Sequence, residues 1–125
     1  MRQKIIILEV QIIMKVMRLD EAKEYPTTGH YDMRALRLQG VDTSNCKDFT
    51  LGLSHFLPGG RTDYMEAGVE LIYCVVDGEL TLTTDDGVYK LHKFDSVHFD
   101  VGDRRSIVNE TNMPAAMLVI AGMKK

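Results

Sequence analysis

The sequence predicts an all-β domain, a small antiparallel barrel or sandwich. The first observation is a pair of strand-like runs around Gly78: Leu71-Ile72-Tyr73-Cys74-Val75-Val76 before it and Glu79-Leu80-Thr81-Leu82-Thr83-Thr84 after it. The second is Asp85-Asp86-Gly87, a hairpin turn in which Gly accepts the positive φ that tight turns need. The third is the continuation at the same interval: Val88–Leu91, Asp95–Phe99 and a strand around Ser106–Val108. Short strands punctuated by Gly and Asp turns at this interval argue a sandwich or barrel.

Taken in order, the chain opens on a β-branched run, Ile5 to Ile13, interrupted by Glu9 and Gln11. No small-residue cleavage site follows, so it does not read as a signal peptide. It fits a strand that pairs with a sheet edge, or an upstream extension if translation starts at Met14. Leu19 to Tyr25 is too short for a confident helix and ends at Pro26. The chain therefore divides into an N-terminal strand-and-loop extension, residues 1–29, and a barrel domain, residues 30–125.

Tyr31 to Leu38 reads as a strand with Met33 and Ala35 on one face. Phe49 to Leu57 is the next, with Leu51, Leu53 and His55 sharing a face, so His55 is expected to look into the interior. It leads into Pro58-Gly59-Gly60, after which Arg61 to Val69 is irregular. Glu70 to Val76 is apolar at both parities, which predicts cover on the outside as well as the inside. Ala115 to Ala121 is the last strand, again apolar on both faces.

The stretch from Gly59 to Asn109 resembles the cupin superfamily, whose fold is a double-stranded β-helix or jelly-roll barrel. The family's first motif is Gly, five residues, His-x-His, three or four residues, Glu, six residues, Gly. Counted from Gly59 it closes on Gly78 and puts the ligand slots at 65, 67 and 71. The second motif, counted back from Asn109, puts a His slot at 105, Gly102 in a Gly slot, the Pro slot at 100 and the first Gly slot at 94. The four ligand slots hold Met65, Ala67, Leu71 and Arg105, while Asp100 and Phe94 replace the Pro and the first Gly. The resemblance thus implies the barrel over roughly residues 30–121. It does not imply the usual metal chemistry, because Ala and Leu offer no donor and Arg stays protonated. No cofactor is expected on this reading. Small cupins commonly dimerise sheet to sheet, so a homodimer is expected.

Length and charge narrow the function. At 125 residues the chain is one domain with room for a real core. A net charge of −3 and the lack of a basic patch exclude nucleic acid as the expected partner. No apolar run approaches the roughly 18 residues of a membrane span. The two cysteines, Cys46 and Cys74, form neither a disulfide framework nor a metal pair, which fits reduced thiols in a cytoplasmic protein.

Alternation fixes the expected site. If slot 71 points inward, so do Tyr73 and Val75; if slot 105 does, so do Ile107 and Asn109. The interior is then lined by Met65, Ala67, Leu71, Tyr73, Val75, Arg105 and Ile107, an apolar pocket with one guanidinium and one phenol, as small-molecule sites are. Arg105 is expected to grip a carboxylate or phosphate of a small anionic metabolite, a carboxylate first, unless Asp63, Glu66, Glu70 or Asp103 pairs with it internally. The ligand-binding set is Arg105, Tyr73, His55, Met65 and Leu71. The alternative is a metal-dependent enzyme of the dioxygenase, isomerase, decarboxylase or lyase type, with His55, His98 and Glu70 as non-standard ligands. The regular register places Glu70 outside, and Arg104 is expected to face solvent.

Overall fold

The computed structural model describes residues 14–124, so the expected N-terminal strand before Met14 lies outside the described residues. The elements are a 3-10 turn, Leu19–Glu21, then β1 (Lys23–Glu24), β2 (His30–Gln39), β3 (Phe49–Thr62), β4 (Met65–Glu66) and β5 (Leu71–Asp77). There follow β6 (Leu80–Thr84), β7 (Gly87–Leu91), β8 (Ser96–Phe99), β9 (Arg104–Val108) and β10 (Ala115–Gly122). All pairings are antiparallel and the strand order runs β7-β6-β9-β3-β10-β5-β8, with β2 and β4 alongside β3 and β9. This is the all-β, jelly-roll type of barrel. β7 and β8 end the order, so the seam between them is where the barrel opens. No helix among the described residues is long and apolar enough to cross a membrane.

The segment expected to be irregular is partly ordered. β3 runs on through Thr62, where His30 and Tyr31 of β2 pair with Thr62 and Arg61, and β4 pairs with β9. Gly60 makes the continuation feasible: a Cβ there would sit 2.4 Å from the Asp32 carbonyl oxygen.

The motif glycines are required by the backbone. Gly59, Gly78 and Gly102 have φ of 84°, 76° and 94°, the left-handed region that side chains avoid. Phe94 stands where the second motif expects its first Gly, and its φ is 72°. The turn has kept a glycine conformation without the glycine. Left-handed backbone costs an L-residue about 1–2 kcal/mol, and glycine gives back roughly 0.5–1 kcal/mol of that in chain entropy. The Phe94 ring is exposed, with the Lys93 ammonium 5.3 Å from its centroid. Phe94→Gly is therefore expected to stabilise the protein by about 0.5–1 kcal/mol, read as a higher urea midpoint at unchanged slope.

The core is built from inward parities of nearly every strand: Phe56, Val75, Leu80, Leu82 and Ile107 are essentially inaccessible. Ala67, Leu71, Tyr73, Phe99, Ala115 and Met117 join the same cluster. β5 follows the expected alternation. Leu71, Tyr73 and Val75 are buried inside, whereas Ile72 is exposed and Cys74 and Val76 are half-buried on the outside.

Candidate functional site

Arg105 enters from β9, where it pairs with Met65 of β4. Its Nη1 donates to the Met65 carbonyl at 2.8 Å and its Nη2 to the Tyr73 hydroxyl at 3.1 Å. The guanidinium carbon lies 5.9 Å from the Tyr73 ring centre and 5.8 Å from that of Phe99. The two rings themselves meet edge to face at 5.1 Å. The cation is thus fixed by one carbonyl, one phenol and two aromatic rings.

No carboxylate pairs with Arg105 among the described residues. Its Nε–H is buried with no partner, and so is Nδ1 of His30. Buried polar atoms are normally satisfied, so these two orphaned atoms leave hydrogen-bonding capacity free near the half-buried Arg105 side chain. His30 opens β2, half-buried. Its imidazole pKa is held below the ordinary value of 6.5, first by burial and then by the Arg105 charge, with Asp63 opposing. Asp63 accepts a hydrogen bond from the Tyr31 hydroxyl at 3.2 Å.

A cleft of about 480 Å³ runs between β7 and β8, walled by Leu82, Tyr89 and Leu91 on one side and Val97 and Phe99 on the other. Its rim carries Asp85, Asp86, Asp103, His98 and Arg104. Phe99 lines the cleft and also faces Arg105, so the two regions share a wall. On the rim Arg104 donates to Asp85 from Nε at 3.2 Å and Nη2 at 3.0 Å, and the Tyr64 hydroxyl donates to the same carboxylate. The hydrogen bond from Tyr64, then those from Arg104, hold Asp85 below the usual carboxylate range. Arg104 is exposed, as expected from its parity.

Of the expected set, Tyr73 and Met65 bond Arg105 directly, through the phenol and the main-chain carbonyl, and Leu71 lies in the core cluster with Tyr73. His55 does not. It pairs with Arg34 and Ala116, and this face carries exposed Arg34 and exposed His55, while the neighbouring Ser54 and Phe56 are buried. The expectation that His55 looks inward is corrected. The alternation along β3 is as read, but the small residues Gly52 and Ser54, with Phe56, form the inner side. His55 lies in a shallow outer depression with Leu19, Ala22, Arg34 and Leu36.

Nor does His55 meet the other proposed metal ligands. His98 and Glu70 do meet, with His98 Nε2 2.6 Å from Glu70 Oε2, but on the outside of the barrel and with Asp100 as their neighbour. The hydrogen bond to Glu70 is the main cause of a raised His98 pKa, helped by Asp100 and Asp103. At the interior slots, Ala67 and Leu71 are buried hydrocarbon and Arg105 is a fixed cation. These residues do not fit the metal that the fold commonly holds.

The two imidazoles give stability opposite slopes. His98, raised in the folded state, contributes stability that is complete below pH 6.5 and lost as pH rises through its folded value. His30, lowered when folded, costs stability as pH falls below 6.5. Melting temperature is therefore expected to peak near neutrality, and His98→Gln to flatten only the alkaline side, as checked by calorimetry from about pH 5 to 9.

Comparison with known proteins places this geometry. The family model described as the cupin domain matches residues 52–121. A β-D-galactosidase of Mycobacterium tuberculosis is 38% identical over 106 residues, covering 85% of this chain and 91% of that protein. Among solved structures, a polyketide cyclase of Streptomyces resistomycificus superposes with a TM-score of 0.79 at 18% identity, covering 88% of this chain and 80% of its own. A cupin-superfamily sugar phosphate isomerase of Silicibacter pomeroyi gives 0.74 at 23%, covering 87% and 76%. At such identities these structures show the fold alone. The family model spans more than half of the sequence, and the chain belongs to the cupin family.

Proposed function

We propose that this protein is a carbohydrate-directed cupin that hydrolyses β-D-galactosides, with the barrel interior and the β7–β8 cleft as one site. The observation that carries the reading is the near-full-length similarity to a protein named a β-D-galactosidase, at 38% identity. The geometry supports it. A sugar offers hydroxyls to hydrogen-bonding groups and C–H faces to rings; here Arg105 and Tyr73 provide the first and Phe99 and Tyr89 the second. Glycoside hydrolysis ordinarily uses two carboxyl groups flanking the scissile bond. The cleft rim carries Asp85, Asp86 and Asp103, and Asp85, kept ionised by Tyr64 and Arg104, suits the base or nucleophile. Its acid partner is then Asp86 or Asp103. The test is release of nitrophenol from 4-nitrophenyl β-D-galactopyranoside, with the α-anomer as control. Release from the β-anomer, reduced at least about a hundredfold in Asp85→Asn, is expected; no release by folded protein overturns the reading.

A second reading is favoured by the orphaned Arg105 Nε–H: a small carboxylate metabolite bound in the barrel without metal. A thermal shift with organic acids that disappears in Arg105→Ala would carry it in place of hydrolysis. In either case the exposed apolar outer face of β5 and β10, with Ile72 and Ile120, suits assembly of two copies as a homodimer, checked by light scattering of the eluted protein.

A further inference from the structure

We propose that Glu70, His98 and Asp100 form a divalent metal site on the outside of the barrel, taking Zn²⁺ or a similar first-row cation. The register builds it. Leu71 pairs with Phe99 and Ile72 with His98, so Glu70, just before β5, comes beside Asp100, just after β8. Positions 98 and 100 project to one side of their strand, and 70 and 72 to the same side of theirs. One ligand atom from each of the three lies within 4.8 Å of the others. A tetrahedral cation about 2.0–2.2 Å from each donor needs donors roughly 3–4 Å apart, which small side-chain rotations supply. One imidazole and two carboxylates with a remaining open position form a donor set suited to zinc.

The backbone at both ends is tied down before any ion arrives. The Glu70 carbonyl accepts from Gly122 N at 2.9 Å; Asp100 N donates to Asp103 Oδ2 at 2.8 Å and the Asp100 carbonyl accepts from Asp103 N at 3.1 Å. Two like charges placed side by side at a strand end repel each other. Among the described residues neither carboxylate has a Lys or Arg ion pair, and His98 is the one basic group bonded to either. Lys124 lines the same groove of about 970 Å³ without pairing to them. A dication inserted between His98 Nε2 and Glu70 Oε2 would neutralise both acids, and the groove leaves room for water or a second ligand on the open side. This site is separate from the interior slots, where the residues do not fit a metal.

The experiment is calorimetric titration of chelator-treated protein with zinc chloride at pH 7.5. One equivalent is expected to bind, about tenfold or more weaker in Glu70→Gln and in His98→Ala. His92→Ala is the control, because His92 also sits between acids, Glu79 and Asp95, and is expected to leave binding unchanged. All three positions are exposed, so folding should survive, which circular dichroism checks. No stoichiometric binding, equal binding in both site variants, or loss of binding in His92→Ala would overturn the proposal. Galactoside hydrolysis is not part of the readout, so either proposal can fail alone.

Discussion

Arg105→Ala is expected to lower kcat/KM on a β-D-galactoside by at least about a hundredfold while leaving the barrel folded. Charge-assisted hydrogen bonds contribute about 1.5–3 kcal/mol each, and 1.4 kcal/mol is a factor of ten. Two such contacts from a fixed fork therefore account for a hundredfold or more. The stability change should be small. The variant gives up the bonds to the Met65 carbonyl and the Tyr73 hydroxyl, but it also removes a half-buried cation whose Nε–H is buried and unsatisfied. Arg105→Lys should recover little, since an ammonium cannot hold the carbonyl and the phenol and still present a second planar donor edge. Steady-state kinetics beside a urea titration separates the two effects. Activity lost in proportion to folded fraction would make Arg105 a structural residue only.

Asn109→Ala is expected to cost about 3–5 kcal/mol of stability, far more than Arg105→Ala. The side chain is fully buried. Its Nδ2 donates to the Phe56 carbonyl at 3.3 Å and the Met113 carbonyl at 2.7 Å; its Oδ1 accepts from Thr111 N at 3.0 Å and Thr111 Oγ1 at 2.8 Å. It links β3 to the turn that delivers β10. Alanine removes all four bonds; the Met113 carbonyl keeps the Thr111 hydroxyl at 3.0 Å, and each remaining partner that water cannot reach costs about 1–3 kcal/mol. Against a typical total of about 5–15 kcal/mol that is a large fraction. The urea midpoint measures it. A change below about 1 kcal/mol would mean that water replaces the amide.

The barrel was legible because its spacing is enforced by backbone geometry. The counts that place Gly59, Gly78 and Gly102 find residues with positive φ, and the count to 94 finds the same conformation carried by a phenylalanine. Parity from slots 71 and 105 placed Leu71, Tyr73, Val75, Ile107 and Asn109 inside. The inner side of β3 was not legible. Leu51, Leu53 and His55 look more core-like than Gly52 and Ser54, but curvature favours the small residues on the concave side, and alternation alone does not say which side is concave. His30 was missed for a different reason. It reaches the Arg105 region only because β2 pairs with the end of β3 at Thr62, a long-range contact with no local signal. Asp100 was missed beside Glu70 and His98 because only the β5–β8 register brings position 70 to position 100.

The most direct test of the central claim follows the Arg105 Nε–H resonance by NMR while galactose is added to the folded protein. A saturable shift of that one side-chain signal, together with the His30 ring signals and with the other arginine signals still, is the result expected from a sugar bound in the barrel. An Arg105 signal that stays fixed through saturation, in protein that still cleaves the β-galactoside, would contradict it.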